Sequence, residues 1–201
     1  MGKGILAALV GAGAKQFFLK ALAEKNTDIP EKSPSPAFLT QRVQQLITPG
    51  LFKLESFVTT VYTRINLEKK TLIFSDCGHT PFLHYSATTN QCRVHKGSNT
   101  PLGVQKKEKI QEITIDIQTG DLVLLLSDGI IETNSTENKL FGIDRLCRFV
   151  ETHHNLSPEQ ILNLLEKELD RFRGAQELQD DMTSICIRIP NTDFINRKDK
   201  K

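Results

Sequence analysis

Residues 122–127 read LVLLLS, and this almost wholly apolar run constrains the fold more than any other feature of the chain. A strand with one face in water alternates apolar and polar side chains, whereas a strand covered on both faces can be apolar throughout. We therefore predict a central, buried strand over Leu122–Leu126. The polar turn at residues 118–121 precedes it, and Asp128-Gly129 follows it as a second turn.

The remaining segments divide into strands and helices by composition and periodicity. Strands are predicted at residues 57–66, 71–76, 81–86, 91–96, 110–117 and 182–189. Helices are predicted at residues 4–25, 37–48, 142–153 and 158–172. Hairpins flanked by pairs of helices indicate an α+β fold of antiparallel sheets with helices packed outside, and they argue against a Rossmann-type fold, whose strands and helices alternate.

The first helix begins with an apolar run at residues 5–14 that is too short to span a bilayer. A signal-peptide core is the alternative, but the hydrophobic pattern continues past Lys15, which favours a packed helix. The glycines in residues 11–15 (GAGAK) lack the spacing of a phosphate-binding loop, and we expect these small residues on a buried helix face. Residues 26–36 contain three prolines and are interpreted as a surface loop.

Composition limits the kinds of partner. Hydrophobic residues make up 38% of the chain and charged residues 25%, which is typical of a globular domain. The net charge of +2 is concentrated in the last five residues, RKDKK, so no basic face for nucleic acid is expected. None of the four cysteines has zinc-site or CxxC spacing, which indicates free thiols and a cytoplasmic location, with a disulfide pair as the alternative.

Three carboxylates are candidate metal ligands. Asp128 directly follows the apolar strand, and Asp180-Asp181 directly precede the last predicted strand. The adjacent carboxylates of Asp180 and Asp181 repel each other, and a cation would relieve that repulsion. We expect Asp128 and Asp180 to converge on one metal site, because one lies at the end of a core strand and the other at the start of the last strand. Oxygen-only ligands suit Mg²⁺ or Mn²⁺. An ordinary turn aspartate and a solvated loop pair are the alternatives.

No side chain is assigned as a catalytic nucleophile. A catalytic serine or cysteine needs a hydrogen-bonded base, and no GxSxG-like setting occurs. His79 lies in a Gly-His-Thr-Pro turn between strands, and we interpret it as a residue that orients this loop.

Five motifs occur in a fixed order between about residue 57 and residue 189. They are residues 76–81 (DCGHTP), 101–103 (PLG), 120–132 (GDLVLLLSDGIIE), 141–146 (FGIDRL) and 180–183 (DDMT). In this order they resemble the SpoIIE-like branch of the PPM-type (protein phosphatase 2C) serine/threonine phosphatases. Asp76 stands where that family usually has asparagine.

The resemblance implies an α-β-β-α sandwich with a two-metal site for Mg²⁺ or Mn²⁺. It assigns Asp128 and Asp180 as metal ligands and Asp181 as a weaker candidate. It implies hydrolysis of phosphoserine or phosphothreonine on a regulatory protein, such as an anti-sigma-factor antagonist in bacterial partner switching. A catalytically inactive fragment or a binding module of the same fold is the alternative.

The resemblance also covers the first residues. Residues 1–8 look like the end of a family segment, D-[VI]-[SM]-G-[HK]-G, whose metal-binding aspartate would precede Met1. We therefore expect residues 1–190 to be a phosphatase domain that is incomplete at its N-terminus, with residues 191–201 as a polar basic tail. On this view the 201-residue chain alone has little activity and tends to associate.

Overall fold

The structure is a computed structural model that describes residues 5–23, 34–105 and 109–191. The elements, in chain order, are α1 (Ile5–Ala23), α2 (Pro36–Lys53), β1 (Thr60–Asn66), β2 (Thr71–Cys77), β3 (Phe82–Ser86), β4 (Gln91–His95), β5 (Ile113–Asp116), β6 (Leu122–Leu126), α3 (Asp128–Ile131), α4 (Ile143–His153), α5 (Pro158–Arg173) and β7 (Ser184–Arg188). They form two compact units, each with its own sheet.

The first unit contains α1, α2 and a three-stranded sheet in the order β1-β2-β5, with β1 and β2 antiparallel. Helix α2 buries one apolar stripe at helical spacing, made of Leu39, Val43, Ile47 and Leu51. Ser35 caps this helix by accepting a hydrogen bond from the amide of Phe38. Helix α1 packs against α2, and its Ala14 and Ala21 are buried in the same core.

Helix α1 is less enclosed than a packed core helix would be. Within residues 11–15 only Ala14 is buried, whereas Gly11 and Ala12 are exposed, so the expectation of a buried small-residue face is wrong. Leu9 is 65% exposed. The cause is that α1 has apolar residues on nearly all of its faces but packs only one face against α2. None of the described helices is long and apolar enough to cross a membrane.

The second unit contains α3, α4, α5 and an antiparallel four-stranded sheet in the order β4-β3-β6-β7. Strand β6 is central, and Leu124 lies opposite Leu83 of β3 on one side and Cys186 of β7 on the other. Leu124 is 1% exposed and its neighbour Val123 is also buried. The prediction of a central strand buried on both faces is therefore confirmed.

Helices α4 and α5 cover one face of this second sheet, contributing Leu146, Val150, Ile161 and Leu165 to its core. Helix α5 begins with the predicted cap. Ser157 accepts a hydrogen bond from the Gln160 amide, and the Gln160 side chain accepts one from the Ser157 amide.

Several element ends differ from the predictions because side chains take over backbone hydrogen bonds. Strand β5 begins at Ile113 rather than at residue 110, since the amides of Ile110 and Gln111 donate to side-chain oxygens of Gln41 and Asn99. Helix α2 continues past the predicted end at residue 48 and includes Pro49, because the burial of Leu51 holds a further turn in place. All four cysteines are free thiols.

Candidate metal centre

Ser127 joins the end of β6 to the start of β7. Its amide donates to the carbonyl of Thr183 (2.9 Å), and its hydroxyl donates to the carbonyl of Asp181 (3.1 Å). The same hydroxyl accepts a hydrogen bond from the Thr183 amide (2.9 Å). Because these three bonds lie immediately beyond the sheet edge, Asp128 and Asp180-Asp181 are held at the same edge of the second unit.

Gly129 brings the two segments into direct backbone contact. A Cβ atom at this position would lie 2.6 Å from the carbonyl oxygen of Asp181 and 3.4 Å from that of Asp180. No side chain fits at the shorter distance without movement of the backbone. We predicted a sharp turn here, but Asp128 instead begins the single-turn helix α3, and glycine is needed for close approach rather than for an unusual dihedral angle.

The amide of the following residue orients each of two carboxylates. The Asp128 Oδ1 atom accepts from the Gly129 amide (3.0 Å), and the Asp180 Oδ1 atom accepts from the Asp181 amide (2.9 Å). All three aspartates are exposed to solvent. They are hard oxygen donors of the kind that Mg²⁺ and Mn²⁺ select.

The ligand role of these carboxylates remains a prediction. The backbone approach agrees with the expected convergence of Asp128 and Asp180. Across the described ranges, however, no group of three or more His, Cys, Asp or Glu side chains is arranged to hold a metal ion. The oxygen-donor type of the three aspartates fits a divalent cation.

Thr133 packs against the residues that carry the three carboxylates, and the sequence analysis did not identify it. Its side chain is buried, its hydroxyl donates to the carbonyl of Gly129 (2.7 Å), and it lies 3.7 Å from the sulfur of Met182. It thus fastens the single-turn helix that carries Asp128. The sequence holds no local signal for this role, because a threonine after a short helix is common in loops.

A family model described as "Stage II sporulation protein E (SpoIIE)" matches residues 1–190 of the chain. The chain belongs to the SpoIIE family. The recognised resemblance to SpoIIE-like PPM phosphatases is thereby confirmed.

Among curated proteins, this SpoIIE family member is 24% identical over 188 residues to the phosphoserine phosphatase RsbU of Bacillus subtilis. The match covers 94% of the chain and 53% of RsbU, so the chain spans about half the length of that relative.

Among solved structures, the SiaA-PP2C domain of Pseudomonas aeruginosa aligns with a TM-score of 0.77 at 19% identity, covering 92% of this chain and 71% of that one. The PP2C phosphatase domain of SpoIIE from Bacillus subtilis, solved with a fragment of its regulatory domain, aligns with a TM-score of 0.72 at 22% identity. That alignment covers 94% of this chain and 52% of the SpoIIE chain. These likenesses confirm the α+β fold.

The departure from the family's asparagine at Asp76 has a structural explanation. This carboxylate is buried, and its two oxygens accept hydrogen bonds from the amides of His79 (2.8 Å) and Gly97 (2.7 Å). An asparagine in this orientation would direct its NH₂ group at one of those amides. Asp76 therefore holds the turn at His79 in place through the hydrogen bond that it accepts from the His79 amide.

A second buried carboxylate, Asp121, lies at the opposite end of β6 from Asp128. We interpreted it as a turn residue, yet its side chain is almost wholly buried and contacts Nε2 of His84 at 2.8 Å. It also accepts from the amides of Ala87 and Gln118, both at 2.8 Å. This network fixes the start of β6, so Asp121 anchors the strand that presents Asp128.

The partly buried thiols of the second unit are poor nucleophiles. Burial raises the pKa of Cys92, and the adjacent Cys147 raises it further. Burial likewise raises the pKa of Cys147 and of Cys186. Since the thiolate is the reactive form, a raised pKa lowers the nucleophilicity of these three thiols at neutral pH.

Proposed function

We propose that this domain is a metal-dependent protein phosphatase that hydrolyses phosphoserine or phosphothreonine on a regulatory protein. The observation that carries the proposal is the joining of the β6 end to the segment before β7 through Ser127. These hydrogen bonds hold the exposed carboxylates of Asp128, Asp180 and Asp181 at the same edge of the second sheet. The relative named as a phosphoserine phosphatase and the neighbours named as PP2C domains support the same activity.

Within this proposal, Asp128 and Asp180 hold Mg²⁺ or Mn²⁺, with Asp181 as a further ligand. Related structures include RsbX in complex with magnesium and a SpoIIE phosphatase domain presoaked with manganese. Such ions, when bound, polarise a phosphoryl group and lower the pKa of water. The chain's own contribution is to orient the carboxylates through the amides of Gly129 and Asp181.

The proposed substrate is an anti-sigma-factor antagonist of a bacterial partner-switching pathway. The similarity to RsbU supports this choice, and four free thiols support a cytoplasmic location.

We further propose residues 1–190 as the phosphatase domain and residues 191–201 as a basic tail. Residues 192–201 lie outside the described part of the chain.

The test is hydrolysis of a phosphoserine peptide in the presence of Mn²⁺, with a version extended upstream assayed in parallel if the gene encodes one. Asp180→Asn should reduce turnover by about 100-fold, since even changes outside the ligand shell cost metal sites about 10–100-fold. Asp116→Asn, an exposed aspartate on β5, is the matched control and should retain activity. Absence of Mn²⁺-dependent turnover in every form would favour the alternative of a non-catalytic binding module.

A further inference from the structure

Two loops of the second unit contact each other beside the candidate metal centre. The 132–142 loop connects α3 to α4, and the 174–183 loop connects α5 to β7. The side-chain amide of Asn134 donates to the side-chain oxygen of Gln179 (3.0 Å), and Thr133 contacts Met182. The 174–183 loop itself contains Asp180 and Asp181, so the paired loops border the carboxylates directly.

The 132–142 loop holds Leu140 in a defined, solvent-facing position. The amide of Ser135 donates to the carbonyl oxygen of Lys139 (2.9 Å), and the amide of Phe141 donates to the carbonyl oxygen of Thr133 (2.8 Å). Phe141 is buried in the core, whereas its neighbour Leu140 is 56% exposed. The loop is thus ordered by its own hydrogen bonds and needs no burial of Leu140.

Leu178 is the matching residue of the 174–183 loop. It is 57% exposed and stands two residues before Asp180, a separation of at most about 7 Å of extended chain. Single exposed leucines are common and carry no meaning by themselves. Leu140 and Leu178 differ from that background because their loops are joined by the Asn134–Gln179 hydrogen bond and border the candidate ligands.

Charge indicates what kind of segment fits this surface. The two loops contain five acidic side chains and one basic side chain, Lys139, which pairs with Glu137 (2.7 Å). Glu132 and Glu177 are exposed and do not belong to the candidate ligand set. They would remain as negative charges beside a metal-bound phosphate, and they complement a basic residue in the partner.

We propose that Leu140 and Leu178 form the docking surface for the phosphoserine-bearing segment of the substrate protein. That segment carries an apolar residue within about three positions of the phosphoserine, which matches the short chain distance from Leu178 to Asp180. It also carries a lysine or arginine that pairs with Glu132 or Glu177. This inference rests on the proposed phosphatase function and names the substrate feature that the site selects.

The experiment uses labelled phosphoserine peptides that share one lysine and differ only in having leucine or serine near the phosphoserine. The Leu140→Asn/Leu178→Asn double variant is compared with the wild type and with Leu54→Asn. Leu54 is 49% exposed at the end of α2 and receives the same chemical change. Hydrolysis of each peptide and of p-nitrophenyl phosphate is measured with Mn²⁺, together with peptide binding by fluorescence anisotropy.

We expect the wild type to favour the leucine peptide by about tenfold in kcat/KM and in binding, the factor that burial of part of a leucine side chain provides. The double variant should lose this preference while hydrolysing p-nitrophenyl phosphate at an unchanged rate, and Leu54→Asn should behave as the wild type. Equal use of both peptides by the wild type, or a preference that survives in the double variant, would overturn the inference.

The failure of the proposed function gives a different result. In that case neither p-nitrophenyl phosphate nor any peptide is hydrolysed, either by the 201-residue chain or by a version extended upstream. Fluorescence anisotropy then tests the docking surface without any hydrolysis, and equal binding of the leucine and serine peptides by the wild type contradicts the inference.

Discussion

Replacing Gly129 by alanine perturbs the contact on which the candidate metal centre depends. The new methyl group would lie 2.6 Å from the carbonyl oxygen of Asp181 and 3.2 Å from its carbonyl carbon. Ordinary contacts between such atoms are about 3.5 Å, so the two segments must separate by roughly 0.5–1 Å. Overpacking of this kind costs about 1–3 kcal/mol, whereas alanine in a helix normally gains about 0.5–1 kcal/mol over glycine.

We therefore expect Gly129→Ala to lower the free energy of unfolding by about 1–2 kcal/mol and to weaken Mn²⁺ binding. Urea denaturation measures the first effect and a Mn²⁺ titration the second. Gly50→Ala is the matched control, because a Cβ atom there meets nothing within 4 Å in helix α2; it should stabilise the protein by about 0.5–1 kcal/mol. A Gly129→Ala protein as stable as the wild type, with unchanged Mn²⁺ affinity, would refute the contact.

Leu124→Ala should cost about 2–5 kcal/mol in urea denaturation, because the side chain is buried in the central strand; a cost near zero would contradict the sheet assignment. Thr48→Val should leave stability unchanged or raise it by about 1 kcal/mol, since the buried Thr48 hydroxyl has no hydrogen-bond partner among the described residues. Thr40→Val on the same helix face breaks a 2.6 Å bond to Ser75 and should cost about 1–3 kcal/mol; equal effects of the two changes would argue against this difference. Cys92 should resist iodoacetamide in the folded protein at pH 7.5 and react fully in urea, because burial raises its pKa. Mass spectrometry measures the extent of labelling, and rapid labelling of Cys92 in the folded protein would contradict this.

The sequence predicted the fold wherever the signal was local. The apolar run at Leu122–Leu126 is short and lies between turn residues, which favours a strand covered on both faces. Ser157 with Gln160 marks the start of α5 without reference to the rest of the chain. Predictions failed where distant residues decide. The start of β5 depends on the Asn99 side chain, and the end of α2 depends on the burial of Leu51 beyond Pro49.

The candidate site shows the same division. Asp128 and Asp180-Asp181 could be selected because each adjoins a predicted strand, and strand ends place side chains at sheet edges. The Asp121–His84 pair could not be found, because its members are 37 residues apart and a histidine within a strand has no distinctive pattern. The role of Gly129 was misassigned to a turn, since its need for space comes from a segment some 50 residues later in the chain.

The central claim is that Asp128 and Asp180 hold divalent cations at the edge of the second sheet. Isothermal titration calorimetry with Mn²⁺ on the wild type, on Asp128→Asn and on the Asp116→Asn control tests it most directly. We predict measurable binding by the wild type and the control, and at least about tenfold weaker binding by Asp128→Asn, because a metal ligand loses its charge. Equal Mn²⁺ affinity of the wild type and a folded Asp128→Asn protein would contradict the claim and leave Asp128 as a residue that only begins helix α3.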